Sequence, residues 1–258
     1  MLSSSAPARP GRPAAVVLHG VGSTPDFALR CLAGPLEALG YDVVAPTLRG
    51  HGNTAPSEDP VDHSLDRHVA DLADCVSAYD VRLVAGISLG AEIALRWVAD
   101  TRGAGLAGLL LCLPGVAGPT SASASANRAM ADELSSCGLE AVLRRIRTAD
   151  GVLPWVVEEV RASWGQHEPA SLVAALRAVA DAEPLSAPTL QRIDVPVGMV
   201  AVSDDLGHPV EIAMRYATLL PRAAVLTMQL ADLEPDRSSL GRVALRALDL
   251  TRRPLPGE

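Results

Sequence analysis

Two spacings of apolar residues alternate along the chain. Short, mostly apolar runs occupy residues 14–18, 41–46, 81–86, 106–113, 195–202 and 223–230. Their length and Val/Leu content suit strands buried on both faces. Between them, residues 26–39, 65–78, 91–99, 212–220 and 240–250 place apolar side chains every three or four positions, the spacing of amphipathic helices. Gly40 directly follows the first of these, where a helix favours glycine at its end. Strands alternating with helices predict a mostly parallel sheet with helices on both faces. Right-handed crossovers then gather every strand's C-terminal end on one edge, where ligands bind.

Residues 119–190 interrupt this rhythm. They open with a Ser/Ala run at 120–126 and continue with helical spacing at 139–146, 155–164 and 171–182, without a strand-like run. Because the sheet pattern resumes afterwards, the segment is expected to be a helical lid inserted into one domain spanning residues 14–258. Residues 1–13 and the last seven residues are polar and proline-rich and are expected to be loose tails. The N-terminal stretch has no apolar core of the kind a signal peptide needs, and no 18-residue apolar run predicts a membrane span.

Composition narrows the function classes. Apolar residues make up 48% of 258 and aromatics only 3%, so a large core is filled mainly by aliphatic side chains and alanine. A formal charge of −8 argues against a basic nucleic-acid footprint. The 22 basic residues are all Arg, so lysine Schiff-base chemistry is excluded. Cys31, Cys75, Cys112 and Cys137 are scattered, without the spacing of a zinc site or a disulfide framework. No metal or cofactor motif is present. A cytoplasmic protein acting on a small-molecule or peptide substrate, with no nucleic acid or membrane partner, is the expectation.

Gly86-Ile87-Ser88-Leu89-Gly90 matches G-x-S-x-G and stands between a predicted strand and a predicted helix. Such a turn lifts a serine hydroxyl above the sheet at a helix N-terminus, where developing negative charge is favoured. His19-Gly20-Val21-Gly22 follows the first strand, and Arg49-Gly50-His51-Gly52 lies in a glycine-rich loop after the second. These motifs resemble the α/β-hydrolase superfamily in its compact form, and the resemblance covers nearly all of residues 14–250. It implies an α/β-hydrolase fold with Ser88 as nucleophile and an oxyanion hole made by the amides of Val21 and Leu89. It also implies structural roles for His19 and His51 and an acid at Asp205, four residues before Pro209, with Asp204 as the neighbouring alternative.

The family base is a histidine in the loop after the last strand. Here that loop reads Leu230-Ala231-Asp232-Leu233-Glu234-Pro235, and no histidine follows His208. Without an imidazole, a neutral serine is a poor nucleophile. Three groups are candidates for the vacancy: His208, just past the acid; His167, delivered by the lid; and Asp232, near the vacant position. A carboxylate is the weakest of these, since its ordinary pKa lies near 4. The missing base opens an alternative to hydrolysis, an epimerase or isomerase that uses the oxyanion hole for proton transfer. Peptide epimerases of the bottromycin type, from natural-product pathways, resemble such degraded-triad folds. A ligand-binding pseudoenzyme is the third reading. Trp155 and Trp164, on one lid segment, are candidate substrate-binding residues, whereas Trp97 is expected to pack its helix on the sheet. His63 and His68 are read as surface residues, and Arg144, Arg145 and Arg147 as a solvated helix face.

Overall fold

The computed structural model describes residues 11–149, 152–205 and 207–252. The first ten residues and the final six, where most of the expected tails fall, lie outside the described residues. The chain is tied down by Arg12, which donates to the carbonyls of Gly40 and Tyr41 and pairs with Asp42.

Six strands form one parallel sheet: β1 (Ala14–Leu18), β2 (Asp42–Val44), β3 (Val81–Ile87), β4 (Gly108–Cys112), β5 (Val197–Val202) and β6 (Ala223–Met228). Their order is β2-β1-β3-β4-β5-β6, so the winding direction reverses between β1 and β3. That reversal opens a crevice at the sheet's C-terminal edge. The second strand is shorter than its apolar run, because Pro46 has no N–H to give a ladder.

Helices cover both faces. α1 (Pro25–Ala38) and α10 (Ser239–Leu250) bury Cys31, Leu32, Leu36, Leu240, Ala244 and Leu248 against one face. α2 (Leu65–Ser77), α3 (Leu89–Thr101) and α9 (Val210–Leu219) bury Leu72, Ile93, Leu95, Trp97 and Tyr216 against the other. Trp97 thus packs its helix on the sheet, as its spacing predicts.

Between β4 and β5 the described residues make five helices: α4 (Ala122–Cys137), α5 (Leu139–Thr148), α6 (Pro154–Trp164), α7 (Pro169–Ala180) and the single turn α8 (Ala187–Leu190). The Ser/Ala run becomes the start of α4, a helix that apolar spacing alone does not announce. Alanine favours helix, and the Ser121 hydroxyl caps the start by accepting from Ala124 N at 3.1 Å. α4 and α7 share a small core of Ala131, Leu134, Leu172, Val173 and Leu176. The layer is fastened to the body by Arg30 of α1, which donates to both carboxylate oxygens of Glu159 in α6 at 2.8 and 2.6 Å. The buried Ser171 hydroxyl adds a bond of 2.8 Å to Gly50 O. Among the described residues no helix is long and apolar enough to cross a membrane.

Candidate active site

Ser88 sits between β3 and α3 with φ 54° and ψ −114°, a conformation that non-glycine residues avoid. Such strain costs about 1–3 kcal/mol and is held only where the surroundings enforce it. Both flanking glycines are required by contact. A Cβ on Gly86 would overlap the Gly90 carbonyl, and one on Gly90 would overlap the Leu18 carbonyl. Gly20 makes the third close approach, since a Cβ there would lie 3.2 Å from Ser88 Cβ. The loop after β1 is thereby pressed against the serine. Among the described residues, neither Val21 N nor Leu89 N donates to any protein acceptor. Val21 and Leu89 line the same cavity as Ser88, so both amides are available to a group bound there.

His208 Nε2 lies 2.8 Å from Ser88 Oγ, and its Nδ1 lies 2.7 Å from Asp205 Oδ2. The acid and the imidazole belong to one loop, three residues apart, between β5 and α9. The turn is closed by Gly207 N donating to Asp205 Oδ1 at 2.8 Å and by His208 N donating to Asp205 O at 3.3 Å. Because Asp205 accepts at Nδ1, that nitrogen carries the proton and Nε2 is left bare toward Ser88. Burial pushes the Asp205 carboxyl up, but the His208 ring and the two loop amides outweigh it and hold the carboxyl below its ordinary range. Asp205 therefore stays anionic beside the ring.

Gly115 makes this placement sterically feasible. Leu113, with φ 50°, turns the chain at the end of β4, and Gly115 follows in contact with the imidazole. A Cβ on Gly115 would lie 2.9 Å from His208 Cδ2 and 3.8 Å from Ser88 Oγ. Sequence reasoning does not single out Gly115; its one signal is the Leu113-Pro114-Gly115 turn after a predicted strand.

The other candidates for the base go elsewhere. Asp232 accepts from Gln229 N at 2.8 Å and caps a 3₁₀ turn, Leu230–Leu233, on the protein's outside. It does not line the cavity at Ser88, because its carboxylate is spent on closing that turn. Asp204 accepts from Leu230 N at 2.8 Å and joins the loops after β5 and β6. His167 faces the loop after β2, where Gly52 N donates to its Nδ1 at 3.3 Å.

His63 and His68, expected at the surface, are buried with 2% and 1% exposure. His68 lies on the apolar stripe of α2 with Leu65 and Leu72, a spacing that was available in the sequence. Five histidines meet there: the His51 ring centroid lies 5.2 Å from His19, 5.1 Å from His167, 6.4 Å from His63 and 6.5 Å from His68. Burial lowers the pKa of His19 to about 4 and of His68 to about 3. Burial and the His19 ring also hold His51 well below the imidazole range. No group of three or more His, Cys, Asp or Glu with metal-holding geometry occurs among the described residues.

A cavity of about 310 Å³ opens above Ser88 and His208. Phe27, Leu113, Val116, Met130, Trp155 and Trp164 are among its walls. Both α6 tryptophans expected at the substrate border it. Glu159 also reaches the cavity, but its charge is matched by Arg30. Trp155 is backed by the Arg237 guanidinium, 3.9 Å from the ring centroid.

With this sheet, elbow and insertion in place, the chain belongs to the alpha/beta hydrolase family, whose model matches residues 15–240. Among solved structures it is similar to a carboxylesterase of the thaumarchaeon Nitrososphaera gargenis, with TM-score 0.77 and 14% identity over 98% of this chain and 94% of that one. The enol-lactonase of Burkholderia xenovorans LB400 matches with TM-score 0.77 and 16% identity over 96% of both chains. The bottromycin epimerase BotH, solved with bottromycin A2, matches with TM-score 0.63 and 23% identity over 97% of this chain and 93% of that one. No curated protein matches the sequence.

Proposed function

We propose that the protein is a serine hydrolase that cleaves a neutral, largely apolar ester, thioester or lactone through an acyl-enzyme. The observation that carries this reading is the unbroken line from Asp205 through His208 to Ser88, at 2.7 and 2.8 Å. His208 Nε2 takes the Ser88 proton as Oγ attacks the carbonyl carbon. The positive imidazolium is stabilised by Asp205, and the Val21 and Leu89 amides receive the oxyanion. His208 then returns the proton to the leaving oxygen or sulfur. Water, deprotonated by the same nitrogen, releases the acid. Walls such as Leu113, Met130 and Trp164 favour an apolar acyl or alcohol group, and the Arg30 partner removes Glu159 as a free charge for cationic substrates. The similarity in fold to a carboxylesterase and an enol-lactonase supports chemistry at a carbonyl.

The epimerase reading rests on a missing base. The contact of His208 with Ser88 favours hydrolysis, whereas the likeness in fold to the bottromycin epimerase supports proton transfer in the same cavity. Hydrolysis of a p-nitrophenyl ester series from acetate to octanoate tests the two. The expected result is turnover with a burst of p-nitrophenol that Ser88→Ala abolishes. Activity should rise about fourfold per added methylene until the cavity is full, from roughly 0.8 kcal/mol per buried CH₂. No turnover of any ester, thioester or lactone, with solvent deuterium entering a peptide at Cα, would overturn hydrolysis in favour of proton transfer.

A further inference from the structure

Two buried histidines outside the catalytic line hold the loop that carries the Val21 amide. A trans peptide is planar, so the Val21 N–H points opposite to the Gly20 carbonyl in the same plane. That carbonyl lies 2.8 Å from His19 Nδ1, and it also accepts from Ser23 N at 3.1 Å. The next plane, from Val21 C=O to Gly22 N–H, is held by His51, whose Nε2 accepts from Gly22 N at 3.1 Å. One histidine thus fixes the plane before the Val21 Cα, and the other fixes the plane after it.

The tautomers follow from the partners. A carbonyl can only accept, so His19 Nδ1, facing Gly20 O, carries the proton, and its Nε2 is bare to accept from Leu48 N at 3.1 Å. His51 Nδ1 lies 2.9 Å from Arg49 O and carries the proton likewise, leaving Nε2 bare for Gly22 N. Both rings must be neutral, because a proton on either Nε2 would face a backbone N–H. Both are fully buried, with 0% and 1% exposure, and line no part of the cavity. The loop has no slack on its other side, where a Cβ on Gly22 would lie 2.5 Å from Trp164 Nε1 of the lid.

We propose that His19 and His51 are positioning residues for the oxyanion hole, fixing the direction of the Val21 amide by gripping the peptide planes on either side of it. The inference rests on the serine hydrolase reading. Hydrogen bonding of the Gly20 carbonyl also polarises its peptide, which makes the Val21 N–H a stronger donor. An amide turned away from the oxyanion stabilises the transition state less and leaves ground-state binding nearly unchanged, so the effect belongs in kcat and not in KM.

The test uses four variants of the full chain. His19→Ala and His51→Ala remove the grips. His19→Asn restores a donor near Nδ1, and His51→Gln restores an acceptor near Nε2. Removing an oxyanion donor outright costs about 10²–10³ in kcat. Loosening one is expected to cost about 10- to 100-fold, with KM within threefold. A trifluoromethyl ketone that forms an oxyanion adduct with Ser88 should lose affinity in parallel with kcat/KM. His19→Asn and His51→Gln should recover most of the loss, whereas a merely structural role would be rescued by shape and not by donor or acceptor. Hydrogen exchange of the Gly22 amide gives a readout independent of turnover: protected in wild type and His51→Gln, fast in His51→Ala. Unchanged kcat in both alanine variants, or Gly22 protection indifferent to residue 51, overturns the inference. A wild type inert on every ester, whose Gly22 protection still follows the acceptor at residue 51, overturns the hydrolase reading and leaves the grip in place.

Discussion

Two sets of histidines divide this molecule, and the same side chain does opposite work in each. His208 stands at the cavity with about a quarter of its side chain exposed, one nitrogen on an anionic carboxylate and the other on a hydroxyl. His19, His51, His63, His68 and His167 are packed ring against ring beneath the loop after β2, each less than a tenth exposed. The first has a neighbouring anion to stabilise its positive form and a hydroxyl to deprotonate. For His19, His51, His68 and His167, burial lowers the pKa, so they serve as neutral donors, acceptors and packing. Placement against a carboxylate, not residue type, separates the proposed base from the scaffold.

The largest effect that would sharpen this contrast lies at His208. His208→Gln is expected to lower kcat/KM by about 10⁴-fold or more with little change in melting temperature, because the ring is partly exposed and fills no core. His68→Phe should do the reverse. Among the described residues both His68 nitrogens lack a hydrogen-bond partner, so an apolar ring of similar shape should leave activity within twofold and keep or raise stability. Measured kcat/KM and melting temperatures for the pair decide the matter, and comparable activity losses would erase the distinction.

Gly115→Ala comes next. The added methyl would meet the His208 ring at 2.9 Å and push it from Ser88. A displacement approaching 1 Å costs up to about 10²-fold, so a loss of 10- to 100-fold in kcat is expected in steady-state kinetics.

Acidification should lower the stability of the fold through the buried set. The folded pKa values of His19, about 4, and His68, about 3, lie below the ordinary 6.5. Groups depressed in the folded state contribute stability above the unfolded pKa and lose it as pH falls toward the folded one. Each is expected to lose about 2 kcal/mol between pH 6.5 and 5. Glu92 opposes this. Burial raises its carboxyl to about 7, so its contribution is full below about 4.5 and declines as pH rises to 7. The two histidines outweigh one carboxylate, and urea midpoints should fall from pH 6.5 to 5, less steeply in His68→Phe. Midpoints that hold or rise on acidification would contradict the neutral cluster.

The smallest effect is expected at Asp232. Asp232→Asn keeps an acceptor for Gln229 N and should change stability by less than about 0.5 kcal/mol while leaving kcat/KM within twofold. A large activity loss would return the carboxylate to the site.

Much of this was legible in the sequence. Short, mostly apolar runs marked the parallel strands, although Asp42 and Arg82 interrupt two of them. The glycines at 86 and 90 announced the elbow because contact with backbone forbids any side chain there. The Ser/Ala start of α4 was less legible, since alanine helices bury so little that spacing carries no stripe. Whether His208 reaches Ser88 was not legible either. That depends on the turn from Asp205 to His208 and on room left by Gly115, which is far earlier in the chain and meets the loop only across the folded sheet edge. The burial of His63 and His68 was hidden because a polar residue at a helix start reads as solvated. His68 carried a signal in its register with Leu65 and Leu72, but His63 carried none.

The most direct test of the central claim is covalent labelling by a fluorophosphonate, read by intact mass and peptide mapping. Stoichiometric modification of Ser88 is expected in wild type, and labelling slowed by about 10³-fold or more in His208→Gln. Asp232→Asn should label at the wild-type rate. Rapid labelling of Ser88 in the absence of the residue 208 imidazole would contradict it.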